Sequence, residues 1–163
     1  MTDNDPQLSA PPSDFDFEIG SWRVRHRRLD ERLAGCTSWT EFDGTAVTSK
    51  ILGGFGNLED NFLDLPGDPY RAVALRSYDP AAGLWSIWWL DGRSPTQLDV
   101  PVVGRFADGV GTFLASDSLR GKPIQIRFTW SVPEPGRPRW EQAFSGDGGS
   151  TWETNWIMEF SRV

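Results

Sequence analysis

The sequence predicts an all-β protein: one antiparallel meander β-barrel of about ten strands, with a short N-terminal helical turn closing one end. Three observations carry this. Strand-like runs recur at the roughly 8–12-residue spacing of sandwiches and barrels, divided by Gly, Pro, Asp and Asn turns. No long helical pattern interrupts them, and no repeat of roughly 20–50 residues is visible. A meander of this length exposes two bare edges unless it closes on itself.

The elements read in order as follows. Residues 1–13 are polar and proline-bearing and read as a disordered leader; they have neither the basic start nor the apolar run of a signal peptide. The barrel domain is expected over 14–163. Ser13 is placed to cap a helical turn over 14–19, which Gly20 ends, leaving Phe15, Phe17 and Ile19 to close one end of the barrel. A first strand spans 21–28, with Trp22, Val24, His26 and Arg28 on one face and Arg23, Arg25 and Arg27 on the other. Leu29 and Leu33 have helical spacing ahead of Gly35, so 29–35 is compatible with a single helical turn.

Strands over 37–42 and 45–52 flank Asp43-Gly44, a hairpin signal. Gly53-Gly54-Phe55-Gly56 marks a sharp bend, and a strand over 58–65 ends at Pro66-Gly67-Asp68-Pro69. Runs over 70–78 and 84–90 flank a turn at 79–83, and a looser segment covers 96–101. Runs over 102–106 and 110–116 flank Asp108-Gly109, 124–132 follows, and a proline-rich loop at 133–138 leads to 139–144. The last strand, 151–162, alternates cleanly. Trp152, Thr154, Trp156, Met158, Phe160 and Arg162 share the face expected to look inward; Glu153, Asn155, Ile157, Glu159 and Ser161 share the other.

First and last strands are neighbours in a closed meander. The parities therefore bring the Arg162 guanidinium over the Trp22 indole at one end of the interior. Gly20-x-Trp22 after a short helix, the all-β meander and the terminal Arg162 resemble the calycin superfamily, which includes lipocalins and fatty-acid-binding proteins. The resemblance covers Phe15 to Arg162. It implies a ligand-holding barrel in which Gly20, Trp22 and Arg162 are structural. The runs 39–45, 84–91 and 140–145 are also similar to uncharacterised bacterial intracellular calycin-like proteins, a likeness that implies no activity. The chain departs from secreted lipocalins in having one cysteine, Cys36, and no leader of the secretory kind. Haem-binding calycins of the nitrobindin kind place an axial histidine near the chain's end, whereas the one histidine here is His26, in the first strand.

Ser145-Gly146-Asp147-Gly148-Gly149-Ser150-Thr151-Trp152 fits the S-x-D-x-G-x-T-W pattern of the Asp-box. It occurs once, and a propeller needs repeated blades. It reads as a structural turn in which Asp147 binds backbone amides and Trp152 packs beneath.

The net charge of −7 argues against nucleic acid, and no run approaches the ~18 apolar residues of a membrane span. The expected location is cytoplasmic. The 9 tryptophans imply an aromatic interior, a ligand-facing aromatic wall, or both. The expected function is binding of a small apolar or aromatic molecule, anionic or neutral, in the barrel. Trp39, Trp89, Trp140 and Trp156 would form its wall, and His26, Arg28, Glu41 and Gln142 its polar handles. Two alternatives stay open: a cofactor-independent cyclase, isomerase or hydratase with His26 or Glu41 as proton carrier, and a structural or interaction module with a side-chain-filled barrel. No catalytic motif, metal site or cofactor is expected, and a homodimer is left open.

Overall fold

In a computed structural model, residues 10–163 are described; most of the expected leader therefore lies outside the described residues. Ten antiparallel strands follow the 3₁₀ turn Asp16–Glu18: β1 (Gly20–Leu29), β2 (Trp39–Ile51), β3 (Gly56–Leu63), β4 (Tyr70–Asp79), β5 (Leu84–Asp91), β6 (Val102–Ala107), β7 (Val110–Leu119), β8 (Lys122–Glu134), β9 (Arg137–Ser145) and β10 (Glu153–Arg162). Each strand pairs with its sequence neighbour, and β1 pairs with β10, so the meander closes. Apart from β2, which runs through Asp43-Gly44, the strands break at the turn signals, and closure removes both edges. Among the described residues no helix is long and apolar enough to cross a membrane.

The clasp between the two chain ends forms as the alternation requires. Trp22 and Arg162 are register partners, and the guanidinium lies 3.9 Å from the centroid of the Trp22 ring. Arg162 Nη1 donates to the Ile19 carbonyl at 2.7 Å, and Trp22 Nε1 donates to the Glu18 carbonyl at 2.8 Å. The clasp thereby holds the turn of 16–18 against the barrel floor. Gly20 is what lets the arginine pass: its φ is +130°, and a Cβ there would sit 2.1 Å from Arg162 Nη1.

Four local expectations are corrected. Asp43-Gly44 is not a hairpin turn; it lies inside the continuous strand β2. A Cβ at Gly44 would stand 2.4 Å from the Phe62 carbonyl and 3.0 Å from His26 Nε2, so this glycine serves close approach rather than chain reversal. The Ser13 side chain does not cap; its carbonyl accepts the Asp16 N–H at 3.0 Å. Residues 30–34 form bends without a helical turn, with Leu33 held at φ 53°. The segment 133–138 is mostly strand, and β8 and β9 run into a tight turn at Pro135-Gly136.

The lower half of the interior is filled. Phe15, Trp22, Trp85, Phe113, Trp130 and Phe160 are buried in one aromatic cluster, with Phe15 edge-on to Trp85 at 4.9 Å. Beside it, Glu18, Glu59 and Arg76 are each 2% exposed or less. Arg76 donates to Asn57 at 2.7 Å and, through Nη2, to Glu59. One guanidinium balances one carboxylate, which leaves Glu18 without a counter-ion among the described residues. Burial pushes its carboxyl well above the usual range, the Glu59 charge adds to this, and Arg76 opposes it.

Two predictions follow from this half of the barrel. Gly20→Ala should cost roughly 2–4 kcal/mol in urea denaturation, through backbone strain and displacement of Arg162. Glu18→Gln should raise the thermal midpoint near pH 8. An unfolded Glu18 ionises above about 4.5 while the folded one holds its proton, so the wild type loses stability as pH rises through that window. The gain should vanish near pH 4.

Candidate functional site

The upper half of the barrel is not filled. A cavity of about 430 Å³ opens at the end away from the clasp, within the size range of small-molecule sites. Its floor is a fan of indoles. Trp140 and Trp156 meet edge to face at 5.3 Å and 87°, Trp89 meets Trp156 at 5.7 Å and 86°, and Phe128 stands edge-on to Trp140 at 4.9 Å. Such pairs are favoured by ring quadrupoles and hold one another's orientation. All four line the cavity. Residues 92–101 cross the mouth, tied back to β5 by the Asp99 N–H donating to the Trp89 carbonyl at 3.0 Å and by the Leu90–Leu98 bridge.

Arg28 enters from β1, in the inward register of Trp22 and His26. Its guanidinium lies 3.9 Å from the centroid of the Trp156 ring, and its Nη2 donates to the Tyr70 hydroxyl. Its buried Nε has no hydrogen-bond partner among the described residues. Arg32 also lines the cavity; burial, reinforced by the charge of Arg28, lowers it to about 10, still cationic at neutral pH. Arg93 is differently placed: it is bonded to Asp91 at 2.8 Å and Asp68 at 2.6 Å and covers the Tyr70 ring.

Of the residues singled out from sequence, Arg28, Trp89, Trp140, Gln142 and Trp156 line the cavity together. Gln142 Nε2 donates to Asn155 Oδ1 at 2.8 Å. His26 lies behind the wall. Trp156 Nε1 donates to His26 Nδ1 at 3.1 Å, and the imidazole stacks on Phe42 at 4.5 Å and 6°. Accepting through Nδ1 puts its proton on Nε2. Burial, helped by the charge of Arg28, lowers His26 to about 3. It is a neutral prop for Trp156 rather than a surface of the cavity.

Trp39 and Glu41 do not face inward. They alternate with the buried Phe42 on β2 and so lie outside. Glu41 pairs with Arg25 and Arg27, and Arg27 covers the Trp39 ring. The glycine-rich turn at 145–152 is structural in its bonding: Thr151 N and Oγ1 donate to Asp147 at 2.9 and 2.6 Å and Ser145 Oγ at 2.8 Å, which hold Asp147 down at about 2, while Trp152 Nε1 donates to the Gly149 carbonyl. Among the described residues no group of His, Cys, Asp or Glu is placed to hold a metal ion.

Sequence reasoning missed Arg32, Tyr70, Asp99, Asp117 and Asn155. Arg32 and Asp99 sit in segments without alternation. Tyr70 alternates with Ala72, Ala74 and Arg76, a face no more apolar than its opposite, so parity had no preferred side. Alternation puts Asn155 on the outer face, but a register shift between Thr154 and Trp156 turns it in, and it is fully buried.

The architecture is thus a closed ten-stranded meander barrel, plugged below and hollow above. No protein-family model matches the chain, and no curated protein sequence matches it. Among solved structures it is similar to the crystal structure of Rv2717c from M. tuberculosis, with a TM-score of 0.59 and 11% sequence identity over 94% of this chain and 99% of that one. At that identity the likeness shows the barrel fold alone.

The histidine gives a pH signature. An unfolded histidine takes up a proton near 6.5, the folded one only near 3, so the wild type should lose roughly 3–5 kcal/mol from this group as pH falls across that window. His26→Gln keeps an acceptor for Trp156 and does not titrate. Denaturation at stepped pH should therefore show a shallower acid slope in the variant than in the wild type.

Proposed function

We propose that this chain is a calycin-like binding barrel that holds a small, largely aromatic molecule with an anionic group in its upper chamber. The observation that carries the reading is Arg28. It is a cation 3.9 Å from the Trp156 ring centroid on the indole floor of a cavity of about 430 Å³, with neither a carboxylate within ion-pair distance nor a partner for its buried Nε among the described residues. Guanidinium groups held without a counter-ion beside an apolar wall are matched by carboxylate or similar oxyanions, through charge-assisted hydrogen bonds. Arg32 adds a second positive charge at the same mouth.

The other readings gain less support. Neither His26 nor Glu41 touches the cavity, so proton transfer by those two groups has no geometry behind it. A barrel filled by its own side chains describes the lower half and not the upper. The unpaired Cys36 fits a reducing, cytoplasmic setting.

Intrinsic tryptophan fluorescence offers a direct assay, because Trp89, Trp140 and Trp156 would touch the ligand. Titration with 2-naphthoate should quench saturably. Arg28→Met, which keeps most of the stem, should weaken 2-naphthoate by about 10–100-fold, the worth of one charge-assisted bond. It should leave the weaker binding of uncharged 2-naphthol within about twofold. Equal losses for both probes, or no saturable quenching by either, would reject the anion site.

A further inference from the structure

Six charged side chains line the cavity: Arg28, Arg32, Arg93, Asp91, Asp99 and Asp117. Arg93 and Asp91 satisfy one another at 2.8 Å. Two cations and two carboxylates remain, facing the same space. No ion pair joins Arg28 or Arg32 to Asp99 or Asp117, since neither arginine takes part in any of the ion pairs formed among the described residues.

Opposite charges on one rim ordinarily close into contact when their side chains are free to do so. Here separate elements hold them apart. Arg28 is fixed by the Trp156 face and the Tyr70 hydroxyl. Asp99 belongs to the crossing segment, anchored through its own N–H to the Trp89 carbonyl. Asp117 belongs to β7, on the lumen-facing register of Phe113 and Ala115, opposite the buried Ile124 of β8. One of its oxygens also accepts the Ser118 N–H at 2.8 Å. The two acids act on one another as well. Burial raises the Asp99 carboxyl, and the charges of Asp117 and Asp91 raise it further, against a smaller opposing pull from Arg32. A cation between the two acids would relieve this repulsion, as an anion would occupy the arginines.

We propose that the cavity is a receptor for an aromatic zwitterion, whose anionic group sits on Arg28 and Arg32, whose cationic group sits on Asp99 and Asp117, and whose ring lies on Trp89, Trp140 and Trp156. This rests on the anion-binding reading above and adds a second pole to it. The mouth would then select by charge pattern: a simple anion leaves the acids unrelieved, and a simple cation leaves the arginines unoccupied.

The test is calorimetric titration with matched probes on one ring: tryptophan (both charges), indole-3-acetate (anion) and tryptamine (cation). A second series of phenylalanine, phenylacetate and phenethylamine guards against a mismatch of ring shape. In at least one series the zwitterion should bind about fivefold or more tighter than the anion, and the amine should bind weakest. Asp99 and Asp117 lie on the exposed rim, so Asp99→Asn with Asp117→Asn should fold normally. That double variant should erase the preference by weakening the zwitterion, with the anion held or tightened. Anions that bind as well as or better than zwitterions in both series would overturn the second pole and leave the anion site standing, as would a preference that survives in the double variant. Failure of both anions and zwitterions to bind would overturn the anion site and this inference together.

Discussion

Everything in this barrel hangs on a cation laid over an indole where the first and last strands meet. Trp22 and Arg162 are separated by nearly the whole domain, yet the β1–β10 pairing makes them register partners. The contact seals the floor, fixes the phase of both strands, and through two backbone carbonyls ties down the turn that carries Phe15 and Glu18. A one-residue slip of β10 would turn Trp156, Met158 and Phe160 outward. The same alternation that places Arg162 under the floor therefore places the indole wall above it.

Ten strands enclose more space than the narrowest barrels, whose interiors side chains just fill. This sequence divides the surplus. Below the midline, large aromatics and a buried Arg76–Glu59 pair occupy the lumen. Above it, the rings of Trp89, Trp140 and Trp156 brace one another edge to face, and His26 holds Trp156 from behind. Gly44 makes room for that imidazole. The chamber persists because its lining rings brace one another and because His26, which does not line the cavity, holds Trp156 from behind.

Much of this could be read from residue order. Strand spacing gave the barrel, and strict alternation in the first and last strands placed Trp22, His26, Arg28, Trp156 and Arg162 on the inner face. What could not be read has physical causes. Asp43-Gly44 has the chemistry of a hairpin turn, but a turn and a site of backbone crowding both call for glycine, and only the neighbouring His26 and Phe62 decide between them. Trp39 and Glu41 mix apolar and charged character on one face, so composition favoured no direction. Asn155 followed the alternation until a bulge broke it. The rim carboxylates and Arg32 lie on segments that have no period, where only the folded chain brings them together.

The location of the clasp also orders events during synthesis. β10 is the last strand of the barrel and pairs with the first, so the ring cannot be sealed until the other nine strands have been made. Until then, β1 waits beside β2 with its outer backbone groups bare, and the growing sheet presents a free hydrogen-bonding edge to any passing strand. Pairing of the first strand with the last is also the most distant contact in the chain, the kind that forms slowly. A growing chain of this design depends on protection until late, and its vulnerability ends when β10 settles against β1.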